Sequence, residues 1–370
     1  VYTRQQGTIK RLAKAAHLSD NLEHLDFFVR CVNICDPEIN KENKDVNKFF
    51  TSLDNITKHV QAGLTDINAL DDIIKMGHII SGSKESFEKE PVLSFITCVI
   101  KSPLQVVDDT AEKLIAISKH RAPVVISSCP MAGATGAFDE FGLVAQINAE
   151  VLAGVTLNQL VSPGAPVLYG AVAVRTRLDN LYDMYGAPEF NHYNMDCAQM
   201  ANYYSIPCYS SANIADSSTP GIQATVEKLM TLLEVPKAGP QYIHYAFGLL
   251  ERTNVFCPEQ AVMDNEHIGI VKHMLKDSAQ SITTENRSKV IDQIKDVMQS
   301  DHKTFMYHLP MPTRENVYTN YPLESDKGPL FAAQQKYKEI CEKPTDNLEP
   351  QIKNDILKNF PAIVKPDEKQ

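Results

Sequence analysis

The sequence predicts an α/β fold, a (β/α)₈ barrel of the TIM type followed by a helical C-terminal extension. Short runs of apolar, aromatic and β-branched residues recur along the first 250 residues of the 370-residue chain. Amphipathic helical patterns lie between these runs, so strand and helix alternate at intervals of roughly 35–40 residues. The runs are almost continuously apolar, which indicates burial on both faces and therefore a parallel sheet.

Seven runs are predicted as strands by their length and composition. They cover residues 25–32, 56–64, 92–100, 122–129, 166–174, 206–211 and 241–247, with 56–64 the weakest candidate. The eighth strand of the barrel stays unassigned. A doubly wound open sheet is the alternative fold, but no Gly-x-Gly-x-x-Gly motif follows the first strand.

Helical patterns separate the predicted strands, and a further one precedes them. Residues 8–20 have apolar side chains at helical spacing, and most of the later patterns open with Pro, Asp or a comparable helix-starting residue. The main later patterns cover residues 138–161, 188–205, 219–235 and 257–276. Beyond about residue 276 the chain becomes charged and punctuated by Pro. We therefore predict a barrel over 1–275 and a helical extension packed against it over 276–370.

Composition and charge narrow the function classes. The chain has 36 Lys and Arg against 46 Asp and Glu, a formal net charge of −10, which disfavours a nucleic-acid partner. No apolar run approaches the length of a membrane span. The eight cysteines are too sparse for a disulfide scaffold and no export leader precedes Val1, so we expect a cytoplasmic protein.

Polar residues at the predicted strand ends are the candidates for chemistry, since barrels place their sites there. Glu189 and Asp216 could act on a substrate, or could serve as a first-turn helix acid and a turn residue respectively. His244 could be a functional imidazole or a hydrogen-bonded core residue. Glu150 lies on the helix stripe that faces the sheet, and a structural, hydrogen-bonded carboxylate is the favoured interpretation.

The cysteines and histidines do not form a metal motif by spacing. Cys98, Cys129 and Cys208 all lie near strand ends and could converge on a metal, although small buried apolar side chains are the simpler interpretation. We predict no metal site.

The segment from residue 130 to 170 resembles the trimethylamine methyltransferase superfamily, whose members demethylate methylated amines. The matching elements are, in chain order, Met131–Gly136, Asn148–Leu152, Pro163–Pro166, Tyr169–Gly170, Gly186–Glu189, Tyr204–Pro207, Gln223–Ala224 with Glu227, and Met263–Glu266. The family fold is a (β/α)₈ barrel, in agreement with the alternation of strands and helices. Family members have a longer N-terminal portion, so the resemblance implies that residues 1–275 lack part of the barrel.

One position separates this chain from the trimethylamine enzymes of the family. Those members carry pyrrolysine in the loop after the sixth strand, and the aligned residue here is Ile214, which has no electrophilic imine. The resemblance therefore implies the pyrrolysine-free branch, in which the methyl group of a quaternary amine such as glycine betaine passes to a corrinoid protein. The corrinoid cofactor belongs to that partner, and this chain is expected to bind no cofactor directly and to form a homo-oligomer.

The resemblance and the predicted strand ends together define a substrate site. The aromatic faces of Tyr169, Tyr209 and Tyr245 would hold the ammonium group. Gly133, Thr135 and Gln223 of the matched segments are assigned to substrate binding as well. Glu189 and Asp216 would supply at most one or two carboxylates, and His244 would donate to a substrate carboxylate.

Two other function classes stay open at this stage. One is a metal-dependent barrel methyltransferase that uses a zinc thiolate site built from some of the three strand-end cysteines. The other is a non-catalytic protein that binds a small molecule in the family pocket.

Overall fold

The seven predicted strands form one parallel sheet in the computed structural model, which describes residues 2–275, 283–305, 325–345 and 347–364. The sheet strands are β1 (Phe27–Val29), β2 (His59–Ala62), β3 (Leu93–Thr97), β6 (Val124–Ser128), β8 (Val167–Ala171), β11 (Cys208–Ser211) and β12 (Tyr242–His244). Each strand pairs with its neighbours in chain order, from β1 to β12. This order has no reversal point, so it supports the barrel and not the doubly wound sheet.

Helices connect the sheet strands and cover the outside of the barrel. They are α1 (Ile9–Asp20), α2 (Lys41–Leu53), α3 (Leu70–Ser81), α4 (Lys84–Lys89), α5 (Asp108–Lys119), α6 (Glu140–Val161), α7 (Pro188–Tyr203), α8 (Ile222–Glu234) and α9 (Pro258–Leu275). The sequence signals act locally as expected. Thr8 and Asp139 accept backbone N–H bonds at the starts of α1 and α6, and Pro188 opens α7.

Short strands extend several loops at the carboxyl end of the barrel. They are β4 (Ile100–Lys101), β5 (Gln105–Val106), β7 (Met131–Ala132), β9 (Val174–Thr176), β10 (Asp183–Met184), β13 (Leu249–Leu250) and β14 (Val255–Phe256). β4 pairs with β5 and β13 pairs with β14, while β10, β9 and β7 form a three-stranded sheet. These small sheets order the loops that surround the mouth of the barrel.

The sheet separates two apolar cores. The larger core lies between the outer face of the sheet and the helices, and includes Phe95, Val124 and Ile126. The smaller core lies inside the barrel and includes Val125 and Tyr209. Because side chains alternate along a strand, neighbouring residues of β6 belong to different cores.

The barrel is nearly closed. No backbone pairing joins β12 to β1 among the described strands, but side chains bridge the two ends of the sheet. The rings of Phe27 and Tyr242 meet edge to face with centroids 4.6 Å apart, and the Tyr242 hydroxyl donates to Oε1 of Gln61 at 3.3 Å. The prediction of a barrel is confirmed, with seven of its strands present in the described residues.

Three further helices follow the barrel: α10 (Thr284–Gln299), α11 (Pro329–Cys341) and α12 (Pro350–Asn359). Ala333 and Ile340 of α11 pack with residues of α1 and α9, and Ile356 of α12 joins the outer core. No helix within the described ranges combines the length and apolar character that a membrane crossing requires. The division of the chain near residue 275 stays a prediction.

Candidate functional site

A cluster of aromatic rings lies along β11 and β12 and includes inward-facing residues of the barrel. Tyr209 contacts Tyr242 with ring centroids 5.4 Å apart, and meets the ring of His244 edge to face at 4.8 Å. His244 stacks on Tyr245 at 3.7 Å. Two of the three predicted tyrosines, Tyr209 and Tyr245, are therefore brought together with the predicted histidine.

The position of Tyr209 depends on Gly170 of the neighbouring strand. A Cβ atom on Gly170 would lie 2.8 Å from Cγ1 of Val125 and closer still to the ring of Tyr209. Glycine is thus required here because the tyrosine ring occupies the volume of a side chain.

A cavity opens beside this cluster, between β1 and β12. This β1–β12 cavity has a volume of about 580 Å³ and is lined by Arg30, Tyr242, His244 and Tyr245, among other residues of the two strands and their loops. Its size suits a small organic ligand. Arg30 directly follows β1, and its Nε atom is buried without a hydrogen-bond partner in the described structure. The cavity therefore offers a guanidinium group with unused donor capacity.

Burial keeps the cluster uncharged around neutral pH. Desolvation lowers the pKa of His244 to about 3, and its Nδ1 atom has no hydrogen-bond partner among the described residues. Desolvation also raises the pKa of Tyr209 and of Tyr245, while the positive charge of Arg30 acts in the opposite direction on Tyr245. The rings thus form a neutral aromatic surface, and His244 is a poor partner for an anion.

Polar and sulfur atoms at the ends of β3 and β6 border the aromatic cluster. Ser127 forms a 2.5 Å hydrogen bond with the Tyr209 hydroxyl, and its Oγ lies 3.8 Å from Sγ of Cys129. Sγ of Cys129 lies 4.0 Å from Sγ of Cys98. The third strand-end cysteine, Cys208, is buried in the helix-facing core, so the three cysteines do not converge.

Asp216 holds a loop and does not line the cavity. Its two carboxylate oxygens accept the backbone N–H groups of Tyr185 and Gly186 at 2.9 and 3.0 Å. Burial raises its pKa, and these two hydrogen bonds act against that shift. Glu227 in turn accepts the backbone N–H groups of Asp216 and Ser217. These contacts agree with the structural role in a turn that the sequence allowed for Asp216.

Glu189 and Glu150 also lie outside the aromatic cluster. Glu189 is half-buried in the first turn of α7, as the sequence pattern allowed. Glu150 is 2% exposed and accepts from the hydroxyls of Ser102 and Ser128, with the Ser102 bond at 2.7 Å. It therefore ties α6 to the turn between β4 and β5 and to the end of β6, in agreement with a structural carboxylate.

The remaining predicted substrate residues are not brought into the cluster. Tyr169 faces the helices, where it packs in the outer core and its hydroxyl donates to Asn148 at 3.4 Å. Gln223 is exposed on α8 and donates to Glu227. Gly133 adopts a φ of +90° in the exposed loop after β6, and Thr135 accepts the backbone N–H of Met131 at 2.9 Å in the same loop. Both belong to the rim of the barrel mouth.

Ile214, the position aligned with pyrrolysine, is fully buried in the inner core. Its neighbours in that core include Tyr185, Phe190 and Tyr209. An apolar side chain thus occupies the position, adjacent to the aromatic cluster.

The sequence reasoning did not select Arg30 or Tyr242. Arg30 follows the first predicted strand directly, so its place at a strand end was a usable signal. Tyr242 lies at the start of β12, and only the bending of the sheet brings it against β1. No pattern in the sequence of one strand reports that contact.

The sequence of the chain is similar to one family of known proteins. The family model described as Trimethylamine methyltransferase (MTTB) matches residues 1–311. Trimethylamine methyltransferase MttB of Desulfitobacterium hafniense (strain DSM 10664 / DCB-2) is 30% identical over 298 residues, which are 80% of this chain and 58% of that protein. Trimethylamine methyltransferase MttB2 of Methanosarcina mazei is 28% identical over 95% of this chain and 71% of its own length.

A second relative from Desulfitobacterium has a different substrate in its name. The glycine betaine methyltransferase of Desulfitobacterium hafniense (strain Y51) is 28% identical over 77% of this chain and 58% of its own length. The chain thus spans little more than half of the length of the two Desulfitobacterium relatives. Among solved structures, a dihydropteroate synthase of Coxiella burnetii in complex with pteroic acid matches at a TM-score of 0.46 and 11% identity, over 74% of this chain and 88% of that one.

Proposed function

The chain belongs to the trimethylamine methyltransferase family, and from this premise we propose that it moves a methyl group from a quaternary or other methylated amine to the Co(I) of a partner corrinoid protein. The observation that carries the proposal is the neutral aromatic cluster of Tyr209, Tyr242, His244 and Tyr245 at the β1–β12 cavity. Aromatic faces are the surface on which proteins hold quaternary ammonium groups.

An uncharged aromatic cluster suits a substrate that loses its positive charge during the reaction. A quaternary ammonium loses its positive charge as the carbon–nitrogen bond breaks, so strong anionic contacts would stabilise the substrate more than the transition state. Tyrosine rings contribute about 1 kcal/mol each to cation binding. His244 is neutral because burial lowers its pKa to about 3, so it does not repel the cation. The amine leaves uncharged, and no side chain needs to donate a proton to it.

Arg30 is the proposed anchor for a substrate that also bears a carboxylate. Its buried Nε has a free donor position, and a guanidinium pairs with a carboxylate through charge-assisted hydrogen bonds. This assignment replaces the sequence-based choice of His244, whose lowered pKa leaves it uncharged. Fixing both ends of a zwitterionic amine would orient its methyl group, and orientation alone can contribute several kcal/mol to catalysis.

The rim of the barrel mouth is suited to a partner that presents an apolar cofactor. Large apolar side chains of the loops after β3, β6 and β8 are exposed there: Leu104, Val106, Phe138, Leu178, Leu181 and Tyr182. A corrinoid macrocycle on the partner would supply a strong Co(I) nucleophile when bound at this rim. The loops of this chain would exclude water around the methyl group and set the direction of approach.

The proposal is tested with a panel of methylated amines and a reduced corrinoid protein. We expect at least one quaternary amine to produce methyl–cobalt, followed by the change in the cobalt absorption bands. The panel contains glycine betaine, tetramethylammonium and trimethylamine, which separate the carboxylate-bearing, quaternary and tertiary classes. Binding of an amine without any methyl–cobalt formation would favour the non-catalytic binding protein instead.

A further inference from the structure

Two thiols face each other at the mouth of the barrel. Cys98 directly follows β3 and Cys129 directly follows β6, and these strands are neighbours in the sheet with Thr97 in register with Ile126. The Sγ atoms lie 4.0 Å apart, and both residues are exposed. The methyl transfer proposed above assigns no role to either sulfur.

The surroundings of the pair favour sulfur chemistry over metal binding. Among the residues that the structure describes, no group of three His, Cys, Asp or Glu side chains is placed to hold a metal ion. The Ser127 hydroxyl is a polar neighbour of the pair, 3.8 Å from Sγ of Cys129. Two adjacent, accessible thiols without further ligands are arranged for reaction with each other.

The two sulfurs are not equivalent. A hydrogen bond from Cys129 lowers the pKa of the Cys98 thiol, and the same interaction raises the pKa of Cys129. The thiolate is the reactive form of cysteine, so this difference favours Cys98 as the attacking residue and Cys129 as the resolving residue.

We propose that Cys98 and Cys129 are a modification site that hydroperoxides convert into a reversible intrachain disulfide. The Cys98 thiolate attacks the O–O bond of the peroxide, is oxidised to the sulfenic acid, and releases hydroxide or alkoxide, which takes up a proton. Cys129 then attacks the Cys98 sulfur, the S–S bond forms, and water leaves with the Cys129 proton. The sum is two thiols and one hydroperoxide giving one disulfide, water, and a second water or an alcohol.

Formation of this bond requires the two sulfur atoms to approach each other. The sulfur separation must shorten from 4.0 Å to about 2 Å, and rotation of the two side chains acts directly on that distance. The rotation would withdraw Cys129 from Ser127, which holds the hydroxyl of Tyr209. Oxidation is therefore expected to alter the edge of the aromatic cluster as well.

The test uses the whole chain and needs neither a methyl donor nor a corrinoid partner, so it is independent of the proposed function. The reduced protein is treated with hydrogen peroxide, its free thiols are blocked with iodoacetamide, and it is digested without reductant for mass spectrometry. We expect a peptide pair joined through Cys98 and Cys129, with a mass lower by two hydrogen atoms, which disappears after reduction with a phosphine.

Three variants define the expected pattern. Cys98→Ser removes the cross-link. Cys129→Ser also removes it, and leaves a Cys98 sulfenic acid that dimedone traps, whereas the unmodified protein gives little dimedone adduct. Cys35→Ser is the matched control, because Cys35 is an exposed free thiol in the loop between β1 and α2. It has no role in the Cys98–Cys129 pair. Its cross-link yield should equal that of the original chain.

The proposal is overturned if peroxide drives Cys98 to the sulfinic acid without any cross-link to Cys129. It is equally overturned if the dominant cross-link contains Cys35, or if Cys129→Ser yields no dimedone adduct at Cys98. The dimedone readout stands even if Cys98→Ser folds poorly, because that variant is not needed for it.

Discussion

Two groups of buried polar side chains in this molecule differ in how completely they are bonded. On the outside of β12, Asp264 accepts from Lys228 at 3.1 Å, from Gln260 at 2.9 Å and from the backbone N–H of Gly248 at 2.7 Å. Facing the β1–β12 cavity, Nε of Arg30 and Nδ1 of His244 have no partner in the described structure. The first group binds secondary-structure elements to each other, whereas the second has bonding capacity left for a ligand.

This difference distinguishes buried polar groups that stabilise the fold from those that are available to bind a ligand. A buried charge is tolerated when the protein supplies its hydrogen bonds, and Asp264 receives them from three sources. A buried donor beside a cavity lowers the stability of the fold unless a ligand or a water molecule accepts its hydrogen bond. Glu150 and Asp216, which stand out in the sequence, are bonded within the protein and belong to the structural group. Arg30, which does not stand out in the sequence, has the unused donor.

The largest effect is expected from breaking the bonds that Asp264 accepts. Asp264→Asn leaves the Lys228 ammonium, which is fully buried, without its counter-ion. We expect a loss of about 3–5 kcal/mol in the free energy of unfolding, measured by urea denaturation. The matched control is Glu285→Gln, which removes an exposed pair with Lys289 at 2.9 Å and should cost less than about 1 kcal/mol. Equal losses in the two variants would contradict the structural role of Asp264.

The next effect concerns the unused donor at the cavity. Arg30→Gln should weaken binding of glycine betaine by about 1.5–3 kcal/mol, or roughly 10- to 150-fold, because a charged hydrogen bond is lost. Tetramethylammonium, which has no carboxylate, should bind both proteins alike in calorimetric titrations. Arg121→Gln is the control, since Arg121 bonds Pro163 and Gly164 at the opposite end of the barrel. A parallel loss for both ligands would remove Arg30 from the carboxylate site.

A smaller effect is expected from the aromatic cluster. Tyr245→Leu removes one ring from the neutral surface and should weaken binding of tetramethylammonium by about 1 kcal/mol, roughly fivefold. Tyr203→Leu is the matched control, because Tyr203 is 80% exposed on α7 and distant in sequence from the cavity strands. Unchanged affinity in Tyr245→Leu would argue against the ammonium position proposed here.

The last effect is a change of the stability of the fold with pH. The pKa of His244 is lowered to about 3 in the folded chain, below the value of about 6.5 for an unfolded histidine. As the pH falls from about 6.5 toward 3, the unfolded chain takes up the proton first, so the contribution of neutral His244 to stability is lost. The melting temperature of the original chain should therefore fall relative to that of His244→Gln between pH 8 and pH 5. A constant difference would show that His244 is protonated with an ordinary pKa.

The strands were predictable because the parallel sheet is buried on both faces, and each strand appears in the sequence as an apolar run. That same property hides which side of a strand faces the barrel interior. Tyr169 and Tyr209 lie at equivalent places in neighbouring runs, yet Tyr169 faces the helices and Tyr209 faces the interior. Without alternation of polar and apolar residues, the sequence does not show which residues of a strand face the barrel interior. The orientations of Tyr169 and Tyr209 therefore had to come from the three-dimensional structure.

The candidate site was predictable only in part for a related reason. His244, Tyr209 and Tyr245 follow from their places at strand ends. The contacts of Asp216 with Tyr185 and Gly186 join residues 30 or more positions apart, and no local pattern reports them. Arg30 becomes a candidate once its burial and its missing partner are known, and both are properties of the folded chain.

Gly170 contributes to the cavity by what it lacks. It makes no contact that a ligand would sense, but the space above its Cα is where the Tyr209 ring rests. A methyl group at this position would clash with the Tyr209 ring and with Val125, so alanine would displace one or both without altering any residue of the aromatic cluster. A search for altered substrate selectivity that mutates only the residues lining the cavity would therefore omit a position that controls where the Tyr209 ring lies.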